Sequence, residues 1–170
     1  DNVAPAIYGN MIIAFMEDGN LYHESIKVPE EIRFLAMVPD FELSTEKARA
    51  VLPKEIPHKH GVFNVSRCAL LIAAFTKNNL DLVKAACKDK FHQDYRSHLI
   101  NNYDDIVAYA NSLDSLGTFL SGAGPTIMTL AKDGDNEILY KMKSYLAALP
   151  DNWQILDLHC DPNGAYYKEV

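Results

Sequence analysis

The sequence predicts an α+β fold in which an antiparallel sheet is covered by helices on one face. Short, strand-like apolar runs occur near both ends of the chain, and longer helix-like segments lie between them. A glycine-containing stretch, Leu120–Thr126, lies between two further strand-like runs. Strands and helices are mixed without the regular βαβαβ alternation of a parallel sheet, which favours the antiparallel arrangement.

Length and composition describe one ordinary domain, or two small ones, with a real core. The chain has 170 residues, of which 48% are hydrophobic and 23% are charged, as in globular proteins. The net charge of −7 argues against a nucleic-acid binder, which usually carries a basic patch. Arginines and backbone amides can still hold a phosphorylated ligand on an acidic protein.

The cysteine spacing argues against a zinc protein, and the hydropathy argues against a membrane-spanning protein. Cys68, Cys87 and Cys160 are widely spaced and do not form a zinc motif. Reduced thiols are typical of the cytosol, so we expect a cytoplasmic protein. No apolar run approaches the roughly 20 residues that span a bilayer, so neither a membrane nor a nucleic acid is expected as a partner.

The first 40 residues predict a short helical turn or loop over residues 1–9, followed by three strands. The apolar run at 11–16 predicts a buried strand, and the residues at 17–20 favour a tight hairpin turn. Pro39 stops the third strand. The predicted strands cover residues 11–16, 21–28 and 33–38.

The middle of the chain predicts helices. Ser44 or Thr45 can cap a helix that Pro53 closes. Residues 54–61 are polar and predict a loop, which would leave His58 and His60 exposed to solvent. The next helix, over 65–76, is apolar nearly all round, which is typical of a central, buried helix. Further helices are predicted over 80–88 and from Asp104 towards Gly117.

The C-terminal part predicts a strand on each side of the glycine stretch, then a long helix that starts at 134–136. Apolar residues recur there at helical spacing. Two final strands are predicted over 153–158 and 165–170, separated by a turn at 161–164.

The glycine stretch has two interpretations from its residues alone. Gly122 and Gly124 permit backbone angles that are closed to other residues, so the loop's N–H groups could converge on an anion. The alternative is a plain glycine-containing hairpin, which a short glycine pattern favours when it is taken by itself.

Two arginines are candidates for binding a carboxylate. Thr45 and Arg49 are four residues apart, so on a helix they share a face, and Arg49 could make two parallel hydrogen bonds to a carboxylate. Arg96 could contact that carboxylate from the other side. The alternatives are a solvated Arg49 and a surface ion pair between Arg96 and Asp89 or Asp94.

The first two residues could also bind a ligand. Asp1 and Asn2 together can bind an ammonium group and a hydroxyl group, or they can be a frayed terminus. The residues alone assemble no metal site, catalytic triad or dinucleotide motif.

Several stretches in this order resemble the homoserine kinases of the GHMP kinase superfamily, with the 43–53 helix as the most specific. They are Asp1–Ala6 (DNVAPA), Leu43–Pro53 (LSTEKARAVLP), Gln93–Arg96 (QDYR) and Leu120–Thr126 (LSGAGPT). The resemblance implies that residues 1–170 form a ferredoxin-like, substrate-binding C-terminal domain. The chain opens on Asp1 and lacks the family's nucleotide loop, so we expect an N-terminal ATP-binding domain to be absent and the isolated chain to be inactive.

The resemblance implies the transfer of the ATP γ-phosphoryl group to the hydroxyl of L-homoserine, on the route to threonine. ATP and Mg would be bound mainly by the missing half, no metal ligand is expected here, and a homodimer is left open. The implied substrate-binding residues are Asp1, Asn2, Thr45, Arg49, Arg96, Gly122 and Gly124. Of these, Asn2 would lie beside the reacting hydroxyl, as the catalytic residue. The alternatives are another GHMP small-molecule kinase and a stand-alone amino-acid-binding or dimerisation module without catalysis.

Overall fold

The computed structural model describes residues 3–167, which form a four-stranded sheet, a separate two-stranded hairpin and several helices. The strands are β1 (Met11–Glu17), β2 (Asn20–Ile26), β3 (Ile32–Pro39), β4 (Gly117–Leu120), β5 (Ile127–Lys132) and β6 (Trp153–Leu158). The helices are α1 (Val3–Tyr8), α2 (Thr45–Ala50), α3 (His58–Thr76), α4 (Val83–Ala86), α5 (Gln93–Arg96), α6 (Tyr103–Ser112) and α7 (Asn136–Leu146). Single 3₁₀ turns at Leu80–Leu82 and Ser97–Leu99 precede α4 and follow α5.

The larger sheet has the strand order β4-β5-β3-β6, and all of its neighbouring strands are antiparallel. Phe34 of the central strand β3 pairs with Leu130 of β5 on one side and with Leu158 of β6 on the other. Along the chain, β3 is followed by α2–α6, then by the hairpin β4–β5, by α7 and by β6. This is the split βαβ arrangement of ferredoxin-like domains, so the predicted α+β class is confirmed.

The main hydrophobic core lies between the sheet and the helices α6 and α7. Leu35 and Met37 of β3 are fully buried there, next to Ile127 of β5. Ile106 of α6 and Met142 of α7, which are also fully buried, cover them. A smaller cluster on the other side includes Ile32, Phe75, Val83 and Leu130. Leu120, at the start of the glycine stretch, also belongs to the main core.

The hairpin β1–β2 forms where the sequence predicts it. Asp18 and Gly19 have φ angles of +49° and +78°, as the two-residue turns that favour hairpins require. The predicted burial of this strand is wrong, because Phe15 and Met16 are 55% and 67% exposed. Strand β1 pairs only with β2 among residues 3–167, so its outer part stays exposed, while Met11 at its start packs against the smaller cluster.

Three other details differ from the sequence predictions. Helix α3 begins at His58, so His58 and His60 belong to its first turn and not to a loop. Although predicted to be central, α3 has only Ala74 and Phe75 buried among its described residues. Residues 165–167 are not a strand, and residues 168–170 lie outside the described range. Among residues 3–167, none of the helices combines the length and the apolar character that crossing a bilayer requires.

Candidate functional site

The glycine stretch is the loop that joins β4 to β5. Leu120 and Ile127 are paired across the two strands, so the hairpin interpretation is confirmed. The backbone N–H of Ser121 donates to the carbonyl of Thr126 at 2.9 Å, and the N–H of Gly124 donates to the carbonyl of Ser121 at 2.9 Å. These two hydrogen bonds close the loop.

Both glycines have left-handed backbone conformations. The φ angles are +58° at Gly122 and +84° at Gly124, which L residues other than glycine adopt only at a cost. A Cβ atom on Gly124 would also lie 3.0 Å from Cδ1 of Leu120 and 3.1 Å from Cδ1 of Ile100, whereas Gly122 faces open space. Gly124 is therefore needed for its backbone conformation and for packing, and Gly122 for its backbone conformation alone.

Two backbone N–H groups of the loop remain available to bind an anion. The N–H groups of Ser121 and Gly124 are used inside the loop. Within the described chain, the N–H groups of Gly122 and Ala123 have no acceptor. Two adjacent free amides can donate to one anionic oxygen, and this contact stays a prediction.

Arg96 joins three elements that are distant in sequence. Its side chain is buried, its Nε donates to the carbonyl of Ala48 in α2 at 2.9 Å, and its Nη1 donates to the carbonyl of Gly122 at 3.1 Å. We call this contact set the Arg96 junction. The alternative in which Arg96 pairs with Asp89 or Asp94 is wrong, because its bonds go to backbone carbonyls. Nη2 has no acceptor within residues 3–167, so part of the guanidinium is available to a ligand.

Helix α2, whose Ala48 carbonyl belongs to this junction, also carries the predicted residues Thr45 and Arg49. Ser44, and not Thr45, is the N-cap, because its Oγ accepts from the N–H of Lys47 at 3.2 Å. Ala48 is fully buried, while Thr45 and Arg49 are exposed. In the described chain Arg49 has no hydrogen-bond or ion-pair partner, so its guanidinium is available for an acidic ligand.

An open cleft lies where the start of α2 meets the glycine loop. Its volume is about 500 Å³, within the range of small-molecule sites. Among residues 3–167, none of the predicted binding residues lines it. The lining residues come from the end of β3, the segment before α2, α2 itself and the loop, and include Pro39, Phe41, Glu42, Ser44, Lys47, Pro125 and Thr126.

Sequence reasoning missed the contribution of Gln93, the first residue of α5. Its Oε1 accepts from the backbone N–H of Leu120 at 2.8 Å and from the hydroxyl of Tyr103 at 2.9 Å. Leu120 is the last residue of β4, so Gln93 fixes the start of the glycine loop. No sequence signal predicts this bond, because it joins residues 27 positions apart.

Asp89 fixes the start of α5. Its Oδ2 accepts from the N–H groups of Phe91, His92 and Gln93 at 3.0, 2.7 and 2.8 Å, and its Oδ1 accepts from Nδ2 of Asn64 at 2.5 Å. Burial acts to raise the pKa of Asp89, but these hydrogen bonds outweigh it and hold the pKa below its usual value. An acidic residue just ahead of a short helix is a capping signal, and it could have predicted this contact.

His92 feels the charges of both the Asp89 carboxylate and the Arg96 guanidinium. Burial lowers its pKa, the Asp89 carboxylate acts to raise it, and the Arg96 guanidinium lowers it further. Its Nδ1 is buried without a partner among the described residues, so the imidazole favours the neutral form.

Comparison with known proteins identifies similar chains. Residues 71–148 match the family model described as GHMP kinases C terminal. The homoserine kinase of Clostridium botulinum (strain ATCC 19397 / Type A) is 48% identical over 164 residues, which is 96% of this chain and 55% of that protein. Residues 71–148 therefore belong to a GHMP kinase C-terminal domain.

Solved structures of GHMP kinases have the same architecture. The homoserine kinase of Cytophaga hutchinsonii superposes with a TM-score of 0.88 at 27% identity, over 95% of this chain and 52% of that one. The mevalonate kinase of L. major, solved with R-mevalonate, has a TM-score of 0.66 at 20% identity, over 88% of this chain and 48% of that one, and shows the shared fold alone. The chain spans about half the length of the curated relatives it matches.

The geometry brings together part of the set of site residues expected of a homoserine kinase. Arg96 and Gly122 are in contact, Gly124 lies in the same loop, and Thr45 and Arg49 belong to α2, whose Ala48 carbonyl also binds Arg96. Asp1 and Asn2 lie outside the described residues, so their roles stay predictions. Residues 3–167 contain no group of three or more His, Cys, Asp or Glu side chains that could hold a metal ion.

Proposed function

We propose that this chain is the acceptor-binding C-terminal domain of a homoserine kinase, which transfers the ATP γ-phosphoryl group to the hydroxyl of L-homoserine and gives O-phospho-L-homoserine. The observation that carries the proposal is the Arg96 junction. Arg96 bonds to residues 48 and 26 positions away, and so unites three stretches that resemble homoserine kinases. The 48% identity to the Clostridium botulinum enzyme supports the same substrate.

The charges beside the junction suit an amino-acid carboxylate. Arg49 is exposed and has no partner in the described chain, and an arginine binds a carboxylate through two parallel, charge-assisted hydrogen bonds. Nη2 of Arg96 supplies a further donor, and Thr45 supplies a hydroxyl on the same face of α2 as Arg49. These groups would hold the homoserine carboxylate and so fix the direction of its side chain.

Phosphoryl transfer needs alignment and charge stabilisation more than covalent chemistry from the protein. The free N–H groups of Gly122 and Ala123 would donate to an oxygen of the transferring phosphoryl group. Asp1 would bind the amino and hydroxyl groups of homoserine, and Asn2 would lie beside the reacting hydroxyl. Since an amide is not a general base, we assign Asn2 to orientation.

ATP supplies the phosphoryl group, and Mg²⁺ would neutralise its charge. The described residues offer no group of three or more His, Cys, Asp or Glu side chains for the ion, so they do not fit a magnesium site. We assign nucleotide binding mainly to an N-terminal domain outside this chain. We place the reaction in threonine biosynthesis in the cytoplasm.

A second candidate is phosphorylation of another small alcohol, because the mevalonate kinase of L. major shares the fold. Mevalonate has a carboxylate but no amino group, so the two substrates differ in the group that Asp1 would bind.

The test is product formation by the full-length protein with MgATP, followed by phosphorus NMR. We expect O-phosphohomoserine from L-homoserine, at a kcat/KM at least about 100-fold above that for R-mevalonate, which corresponds to about 2.7 kcal/mol. A preference for mevalonate, or no turnover of L-homoserine, would overturn the proposal. The 170-residue chain assayed by itself is expected to give no turnover.

A further inference from the structure

Helix α5 contacts the glycine loop at two separate points. At its first residue, Oε1 of Gln93 accepts from the N–H of Leu120 at 2.8 Å. At its last residue, Nη1 of Arg96 donates to the carbonyl of Gly122 at 3.1 Å. Residues three apart lie on one face of a helical turn, so a single turn of helix holds both the start and the middle of the loop.

The same helical turn also fixes the distance from the loop to α2. Nε of Arg96 donates to the carbonyl of Ala48 at 2.9 Å. Asp89 in turn fixes the start of α5 by accepting three backbone N–H bonds. A change at Gln93 would release one of the two loop contacts and leave the contact with α2 intact.

The bond from Gln93 has no replacement nearby. Leu120 is 3% exposed, so water cannot easily satisfy its N–H if the Gln93 acceptor is lost, and an unpaired buried donor is costly. The loop would relieve this cost by moving towards a new acceptor. Such a movement would displace Gly122 and Ala123, whose N–H groups have no acceptor in the described chain and are the proposed donors to the phosphoryl group.

We propose that Gln93 is a positioning residue, which sets the place of the glycine loop relative to α2 and thereby aligns the acceptor hydroxyl with the transferring phosphoryl group. The kinetic part of this inference rests on the proposed function. The structural part, the fixed position of the loop, does not depend on it.

The test compares three variants of the full-length protein. Gln93→Met keeps the side-chain length and removes the acceptor, while Gln93→Glu keeps an acceptor oxygen. Tyr103→Phe is the matched control, because it removes the other hydrogen bond to the same Oε1 and leaves the bond to Leu120. The readouts are kcat and KM for L-homoserine, and hydrogen–deuterium exchange of a peptide spanning residues 117–126.

We expect Gln93→Met to speed exchange of the Leu120 amide at least about tenfold and to lower kcat about tenfold, with KM changed less than about threefold. Gln93→Glu should restore kcat to within about threefold of the wild-type value, and Tyr103→Phe should leave both readouts near wild type. Unchanged exchange and kcat in Gln93→Met would overturn the inference, as would equal losses in Tyr103→Phe.

Two further outcomes are also decisive. If Gln93→Met does not fold, Gln93→Asn replaces it, since it shortens the side chain and keeps its polarity, and the same losses are expected. If the wild-type protein does not phosphorylate homoserine, the proposed function fails, while the exchange of the Leu120 amide still confirms or refutes the positioning role.

Discussion

The Arg96 junction makes a quantitative prediction about stability. The guanidinium donates to two backbone carbonyls at once, those of Ala48 and Gly122. A lysine keeps the positive charge, but its compact ammonium group lacks the planar fork that reaches both acceptors. We therefore expect Arg96→Lys to lose one of these charge-assisted hydrogen bonds and Arg96→Ala to lose both.

The magnitude follows from the burial of the junction. A hydrogen bond from a charged group contributes about 1.5–3 kcal/mol, so Arg96→Lys should lower the free energy of unfolding by about that amount. Arg96→Ala should lower it by about 3–5 kcal/mol, a large share of the roughly 5–15 kcal/mol of a typical domain.

Urea denaturation of the chain, followed by circular dichroism, measures these differences. Arg49→Ala is the matched control, because it removes an exposed arginine without a partner in the described residues, and it should change the free energy of unfolding by less than about 0.5 kcal/mol. An Arg96→Lys variant as stable as the wild type would refute the role of the fork. So would an Arg49→Ala variant as unstable as Arg96→Ala.

Two further predictions concern the same region. Gly124→Ala should destabilise the chain by about 2–4 kcal/mol, because the new Cβ adds a close contact to the backbone strain. Gly122→Ala should cost only about 1–2 kcal/mol, because it adds strain alone. Equal losses of unfolding free energy in urea denaturation would contradict this difference in packing. Because the pKa of His92 is lowered in the folded chain, the unfolded chain binds the imidazole proton more tightly. The stability that the neutral His92 contributes is therefore fully present above the unfolded pKa of about 6.5. It is lost as the pH falls through the folded pKa. His92→Asn should make the pH dependence of stability flatter over that window, and an unchanged slope would exclude His92 as its source.

The sequence predicted the strands and helices well where local rules decide them. The hairpin turn at Asp18 and Gly19 and the apolar spacing of α7 are local signals, and both elements form as predicted. Burial was predicted less well. Phe15 and Val65 are 55% and 69% exposed, although their apolar neighbours in the sequence predicted a core position. An apolar sequence pattern indicates a face that avoids water, but it does not identify what covers that face.

In the candidate site, too, the features set by local sequence were predicted and the long-range contacts were not. The glycine loop and the cap of α2 follow from residue types at fixed spacing, and of the two cap residues that the sequence offered, Ser44 and Thr45, the structure uses Ser44. The hydrogen bonds of Gln93 and Arg96 join residues 26 to 48 positions apart, and a single sequence contains no rule for such contacts. The sequence offered Arg96 either a ligand carboxylate or a surface carboxylate of Asp89 or Asp94, yet both hydrogen bonds that its side chain makes hold the protein's own backbone.

The most direct test of the proposed substrate site compares L-homoserine with 3-aminopropan-1-ol, which has the same amino and hydroxyl groups but no carboxylate. The assay is kcat/KM of the full-length protein and of its Arg49→Ala variant, with Lys54→Ala as a control that removes a different exposed charge. We expect the wild type to prefer homoserine by about 100-fold or more and Arg49→Ala to lose at least about tenfold of that preference through a higher KM for homoserine. If Arg49→Ala slows both substrates equally, or keeps the full preference, Arg49 does not bind the carboxylate and the proposed site is wrong.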